Sequence, residues 1–308
     1  MLSERDRCQV GQIGPRTTRR NRHREGGPAE DAEWNSPHFI PSFMIRPAVY
    51  SRRVARVLIT GSSAGIGLAA ATALSKQGHE VVLHARNEWR AAEALAAVPL
   101  AAGVVVADLA SFQETRGMVA EAEKFGRYDT VVLNAGLGLK HATERELTVD
   151  GNELTFQVNT LSAYLVTALL SRPRRLIFTS SALAGEGKLD LDDPNFMRKP
   201  FQGWQAYLNT KLQLILLALG VGRRLSEVDS IAFDPGWVTT QMTLRNGDGG
   251  PLTPDHAGAR LARLATTRDV PPDSYDTERP WRPGRDEKDP EKQDGLLALC
   301  AQLTGSAL

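Results

Sequence analysis

The chain has little of what marks the more specialised protein classes. Its 308 residues include two cysteines, Cys8 and Cys300, near opposite ends. That usage supports neither a disulfide framework nor a Cys-x-x-Cys metal site, so a stapled scaffold and a zinc module are excluded and a reducing, cytoplasmic setting is expected. The formal net charge is only +1. Without a basic field there is nothing to wrap nucleic acid or to hold anionic lipid, which leaves a small molecule as the expected partner. Long apolar runs are missing too. The longest, around Leu212 to Val221, is too short to span a bilayer, and the N-terminus has no signal-peptide core.

What is present is an ordinary globular composition, 42% hydrophobic and 24% charged. Residues 1–52 are rich in Arg, Gly, Pro and Asn with no apolar periodicity, and are expected to form a flexible N-terminal tail. Glu4, Asp6, Glu25, Glu30, Asp31 and Glu33 within it argue against a transit peptide, which avoids acids.

Over 53–308, short β-rich runs alternate with helical patterns. Strands are expected at 57–60, 81–85, 103–107, 130–133, 176–180 and 230–233. Helices are expected at 66–76, 89–97, 112–125, 151–170, 204–224 and 290–304. The strands are nearly continuous apolar runs, as strands covered on both faces should be. The pattern predicts an α/β fold, a Rossmann-type doubly wound parallel sheet in a single domain.

Two motifs carry the chemistry. Thr60-Gly-Ser-Ser-Ala-Gly-Ile-Gly67 follows the first strand and opens the first helix. In that context Gly61, Ser63, Gly65, Ile66 and Gly67 can bring backbone amides and a helix N-terminus against a pyrophosphate. About 140 residues on, Tyr207-x-x-x-Lys211 lies at the start of an apolar helix, with both side chains on one face. An ammonium one turn away, together with the charge of a bound nicotinamide, favours the phenolate and is expected to bring the tyrosine nearer neutral pH, where it can act as acid or base.

The pair resembles the short-chain dehydrogenase/reductase family, in particular its retinol-dehydrogenase, WW-domain-oxidoreductase and protochlorophyllide-reductase-like branch. The shared branch features are the Thr148-Val-Asp-Gly151 entry to the long helix, a 26-residue spacing from Ser181 to Tyr207, and an Asp-Ser-Tyr275 stretch. The resemblance implies a tetrad of Asn159, Ser181, Tyr207 and Lys211, with Ser180 the alternative serine. It implies that Asn159 orders a water against the lysine, where the residue alone reads equally as a buried hydrogen bond to backbone. It also implies that Asp108 and Leu109 meet the adenine, that Asn134, Ala135 and Gly136 flank the cofactor ribose, and that Pro235, Gly236, Val238 and Thr240 hold the nicotinamide amide. Trp237 is expected to pack.

Arg86 ends the second strand where an NAD-preferring protein carries an acid, so NADP(H) is expected over NAD(H). Altogether the resemblance implies an NADP(H)-dependent oxidoreductase that interconverts a carbonyl and an alcohol on a small apolar substrate. Reduction of a carbon–carbon double bond is the alternative within the family, and a non-catalytic NADP(H) sensor the alternative outside it.

The substrate walls are expected from 185–203 and 241–256. Leu189, Leu191, Phe196, Met197, Phe201 and Trp204 would make the first apolar unless they belong to a folded flap. The helix 204–224 carries more apolar surface than a one-sided helix needs. Its cover is either a second copy, making a homodimer, or the chain's own C-terminal segment.

Overall fold

A computed structural model describes residues 53–267, 275–276 and 287–308. The expected tail, 1–52, lies outside the described residues, as does the stretch just before Tyr275. The chain runs β1 (Arg56–Ile59), α1 (Gly65–Lys76), β2 (Glu80–Ala85), α2 (Glu88–Ala97), β3 (Gly103–Val106), α3 (Phe112–Glu123) and β4 (Thr130–Leu133). It continues with α4 (Leu154–Phe156), a π-helical turn (Gln157–Leu161), α5 (Ser162–Leu169), β5 (Arg175–Thr179) and a 3₁₀ turn (Ala182–Glu186). Then come α6 (Gly203–Arg224), β6 (Asp229–Phe233), α7 (Gln241–Arg245), α8 (Pro254–Thr266), β7 (Tyr275–Asp276) and α9 (Pro290–Thr304).

All strand pairs are parallel, in the order β3-β2-β1-β4-β5-β6-β7. The six expected strands lie within one residue of their expected bounds, and the two-residue β7 is added at the edge. Helices cover both faces, as period-2 burial requires. Val57, Ile59, Val132, Ile177 and Ile231 point to the face under α1, α2 and α8, where Leu74, Ala94 and Leu261 meet them. Leu58, Val131, Leu176 and Phe178 point the other way, against Met118, Leu161, Leu217 and Leu297. Strand order reverses between β1 and β4, which opens a crevice at the carboxyl ends of the strands.

Local chemistry explains the departures from expectation. The helix expected from 151 begins at Leu154, because Gly151 has φ +81° and the Glu153 carboxylate caps the amides of Thr155 and Phe156 at 2.9 and 2.7 Å. Two helices, α7 and α8, were not expected. Both had signals, since Thr240 and Thr253 are N-caps and Pro254 stands in the first turn of α8.

The cover of α6 is the chain's own. Leu212, Leu214, Ile215, Leu216 and Leu217 are buried within one chain, and Leu296, Leu297 and Cys300 of α9 join the same core. A Cβ added to Gly220 would come within 3.0 Å of Leu297 Cδ1, so the two helices meet closely. The surface that suggested a homodimer is therefore occupied by the C-terminal helix. Among the described residues, no helix is long and apolar enough to cross a membrane.

Candidate active site

The loop after β1 is held in place before any ligand arrives. Ser62 Oγ donates to Ile59 O at 2.9 Å and accepts from His84 N at 2.9 Å. His84 is buried between β2 and the loop. Its Nδ1 accepts from Gly61 N at 2.9 Å, and its Nε2 lies 3.1 Å from Ala107 O. The pair fixes a neutral imidazole with its proton on Nε2, and burial draws its pKa down to about 4. Asn134 completes the frame by donating from Nδ2 to Thr60 O at 3.0 Å and Gly61 O at 3.2 Å. Thr60 Oγ1 accepts from both Asn134 N and Ala135 N.

This frame leaves room for backbone alone. Gly61 has φ +65°, and a Cβ there would sit 2.8 Å from Ala135 Cα. At Gly67 an added Cβ would lie 2.5 Å from Gly61 O. The N-cap of α1 is Ala64, which makes no side-chain cap bond, so the first-turn amides and the positive end of the helix are available to an anion. Ser63 is half-buried beside them. A glycine cradle at an open helix N-terminus fits the diphosphate of a dinucleotide.

Around the rim, Arg86 is exposed at the end of β2 and makes no ion pair among the described residues. Asp108 is half-buried, with Oδ1 accepting from Ala110 N at 3.0 Å. The side chain of Leu109 is packed in the core, so only its backbone can face a ligand. Gly136 is close-packed against Asn159 Oδ1, which a Cβ would approach to 3.3 Å.

A cavity of about 490 Å³ opens at the carboxyl ends of β4, β5 and β6. It brings together Ile66, Asn134, Gly136, Ser181, Tyr207, Lys211, Pro235, Gly236, Val238 and Thr240 from five segments of chain. Tyr207 is stacked on Trp204, with ring centroids 5.3 Å apart and planes 16° from parallel. Lys211 Nζ donates to Thr179 O at 2.9 Å and lies 5.4 Å from the Tyr207 ring centroid. The two serines separate by role. Ser180 Oγ donates to Lys211 O at 2.6 Å and is fully buried, whereas Ser181 is half-buried on the cavity wall and caps the 3₁₀ turn. Thr179 Oγ1, at the floor of the cavity, is buried without a hydrogen-bond partner.

Asn159 lies in the π-helical turn and outside the cavity lining. Its Oδ1 accepts from Leu137 N at 2.8 Å, and its Nδ2 donates to Leu137 O at 2.9 Å and Thr210 Oγ1 at 3.0 Å. The side chain thus fastens the loop after β4 to α6, the backbone hydrogen bond that the residue alone suggested.

Among the protein's own groups, burial and the Asp234 carboxylate push Tyr207 well above the usual phenol range. Burial draws Lys211 down to about 8, while Asp234 opposes the fall. Sequence reasoning had given Asp234 no role.

The walls also need correction. Residues 185–203 contribute nothing to the cavity lining. This segment is a folded flap, in which the Asp193 carboxylate accepts from the amides of Met197, Arg198 and Lys199 at 2.6, 3.0 and 3.2 Å. Phe196 and Phe201 meet edge to face at 5.5 Å, and Leu189 and Leu191 pack on the core. The other expected wall does line the cavity, through Met242, Thr243, Asn246 and Asp248, and Leu183 and Trp204 complete the lining, with Trp237 at the mouth, 59% exposed rather than packed. Asn246 ties this second wall to the loop after β4, donating to Gly138 O at 3.1 Å and accepting from Lys140 N at 3.3 Å.

Comparison with known proteins agrees with this geometry. The profile of the family described as short chain dehydrogenase matches residues 55–190. An oxidoreductase of Emericella nidulans, itself uncharacterized, is 39% identical over 269 residues, covering 81% of this chain and 97% of that one. A short-chain dehydrogenase of Gibberella zeae is 34% identical over 259 residues, covering 83% and 99%. Among solved structures, an uncharacterized protein from Mycobacterium paratuberculosis superimposes with a TM-score of 0.69 at 26% identity, covering 82% of this chain and 94% of that one. With a parallel doubly wound sheet, a glycine cradle and a buried Tyr207–Lys211 pair sharing one crevice, and with relatives alike over nearly their whole length, the chain belongs to the short-chain dehydrogenase/reductase family of oxidoreductases.

Proposed function

We propose that the chain uses NADP(H) to interconvert a carbonyl and an alcohol on a small, uncharged, apolar molecule, with Tyr207 as general acid and base. The observation that carries this reading is the convergence of Ser181, Tyr207 and Lys211 on one cavity with Ile66 of the glycine loop and Gly236 of the loop after β6. The cofactor, when bound, supplies the hydride.

The protein residues do the rest. The glycine loop and the open end of α1 bind the diphosphate, and Arg86 pairs with the 2′-phosphate through a charge-assisted contact. The Ser181 hydroxyl orients the substrate oxygen. Tyr207, kept protonated by burial, hands its phenolic proton to that oxygen in reduction and takes it back in oxidation. Lys211 brings a positive charge that helps the phenol release its proton.

Substrate polarity follows from the walls. Leu183, Trp204, Trp237 and Met242 present apolar surface. The acid on the same wall, Asp248, is taken by Lys140 at 2.7 Å. Such a cavity favours an uncharged ring or chain over a carboxylate.

The test is NADPH oxidation against a panel of uncharged ketones, aldehydes and activated alkenes. Tyr207→Phe should lower turnover by about 10²–10⁴ and leave NADPH affinity within about twofold. Undiminished turnover in that variant, or turnover confined to alkenes, would overturn the mechanism stated here.

A further inference from the structure

We propose that Asp234 is a positioning residue of this reaction, the counter-charge of Lys211 inside the cavity and the clamp between its two walls. The proposal rests on the acid–base reading of Tyr207 and Lys211 given above. Asp234 follows the last residue of β6, is 4% exposed, and lines the cavity together with both of those residues.

A carboxylate this deeply buried needs partners, and its partners join two separate segments. Its Oδ1 accepts from Gly236 N at 2.9 Å, in the loop after β6. The backbone N–H of Ala182, the residue after Ser181, faces the same carboxylate. One side chain thereby stands bonded to the Pro235–Gly236 loop and facing the serine turn, the two strips of backbone between which a substrate oxygen would lie.

The charges facing Asp234 come from two helices. Lys211 approaches from α6 and Arg260 from α8, and the phenol of Tyr207 also faces it from α6. Arg260 is partly engaged with backbone, its Nη1 donating to Pro235 O at 3.3 Å and its Nη2 to Asp234 O at 3.4 Å. The other acid on the cavity lining, Asp248, belongs to Lys140. Lys211 therefore has one carboxylate within the cavity to balance it.

The effect is mutual. Burial favours the neutral form of both groups, and each charge opposes that for the other. Removing the carboxylate would let Lys211 lose its proton at lower pH and would free Tyr207 from a negative neighbour. Asp234 thus keeps the lysine charged and the phenol protonated, the state needed to donate a proton to a carbonyl oxygen.

The decisive measurement is a pH titration of the full chain without cofactor, read by NMR of ¹³Cε-labelled lysine. The Lys211 signal is identified by its loss in Lys211→Met. In Asp234→Asn its midpoint should fall by about one unit. Amide exchange at Ala182 and Gly236 should quicken about tenfold, as expected for loss of a charge-assisted hydrogen bond. An unmoved midpoint overturns the counter-charge role, and unchanged exchange overturns the clamp. Should Asp234→Asn fail to fold, the reciprocal experiment uses Lys211→Met, in which the Asp234 carboxyl midpoint must rise. A stationary midpoint there overturns the proposal equally. Neither readout depends on turnover, so a chain inert toward carbonyls would sink the carbonyl–alcohol reading while leaving this linkage standing.

Discussion

Gly67→Ala tests whether the loop after β1 is a cradle whose shape matters. The added methyl would lie 2.5 Å from Gly61 O and 2.6 Å from Asn134 Nδ2. Neither neighbour can yield cheaply. One is backbone, and the other is the amide that donates to Thr60 O and Gly61 O. Overpacking of this kind costs about 1–3 kcal/mol, and losing the Asn134 bonds adds about 1 kcal/mol each. The gain from replacing glycine inside a helix offsets about 1 kcal/mol. A net loss of about 2–4 kcal/mol should lower the melting temperature by roughly 4–16 °C for a domain of this size. Pushing the loop toward the ligand should also weaken NADPH at least tenfold, about 1.4 kcal/mol in binding, as read by calorimetry. The control is Gly117→Ala, on the exposed face of α3 with nothing within 4 Å, which should stabilise by about 0.5–1 kcal/mol and leave binding alone. Wild-type melting together with wild-type NADPH affinity in Gly67→Ala would refute the cradle.

Arg86→Ala should weaken NADPH about tenfold or more while changing NADH little, because the proposed role of Arg86 is confined to the 2′-phosphate. A wild-type preference for NADH would contradict this outright. His84 adds a pH dependence. Its folded pKa of about 4 lies below the unfolded value of about 6.5, so the unfolded chain takes up the proton first. Its contribution is complete above about pH 6.5 and falls by up to about 3 kcal/mol as pH drops toward 4. Urea unfolding from pH 7 to 4.5 should show that slope, and His84→Asn should flatten it. Light scattering at micromolar concentration should return the mass of one chain, because α9 already covers α6. A stable dimer would require another surface.

The sheet was legible because its determinants are local and repeated. Apolar runs such as Val81–Leu83 and Val131–Leu133 are buried on both sides, and turn residues separate them from the helices, so the strand limits could be read to within a residue. The cradle was legible for a related reason. A strand, a glycine turn and the start of a helix follow one another within twelve residues, so the motif reads as one unit in sequence, whereas His84 and Asn134, which frame it, come from further along the chain. Legibility ends where the partner of a segment lies far along the chain. The apolar residues of 185–203 look the same whether they line a pocket or pack beneath it. What decided between these was Asp193 gathering three amides and α9 arriving to receive Leu191, whose Cδ1 a Cβ at Gly295 would approach to 2.7 Å.

The same limit governs the chemistry of the site. Tyr207 and Lys211 are four residues apart, and that spacing gives the sign of one interaction, an ammonium favouring a phenolate. It does not give the rest of the field. Burial acts on Tyr207 in the opposite direction, and so does Asp234, which is 27 residues further along the chain and reaches the cavity from the end of β6. Taken over the protein's own groups, the sum holds the phenol above its usual range. A motif therefore names the residues that can exchange a proton, whereas the direction in which they are poised depends on charges that only the fold brings together. Asp234 shows this most sharply. In sequence it merely precedes Pro235 and Gly236, and in the fold it is a buried carboxylate that lines the same cavity as Lys211 and Tyr207.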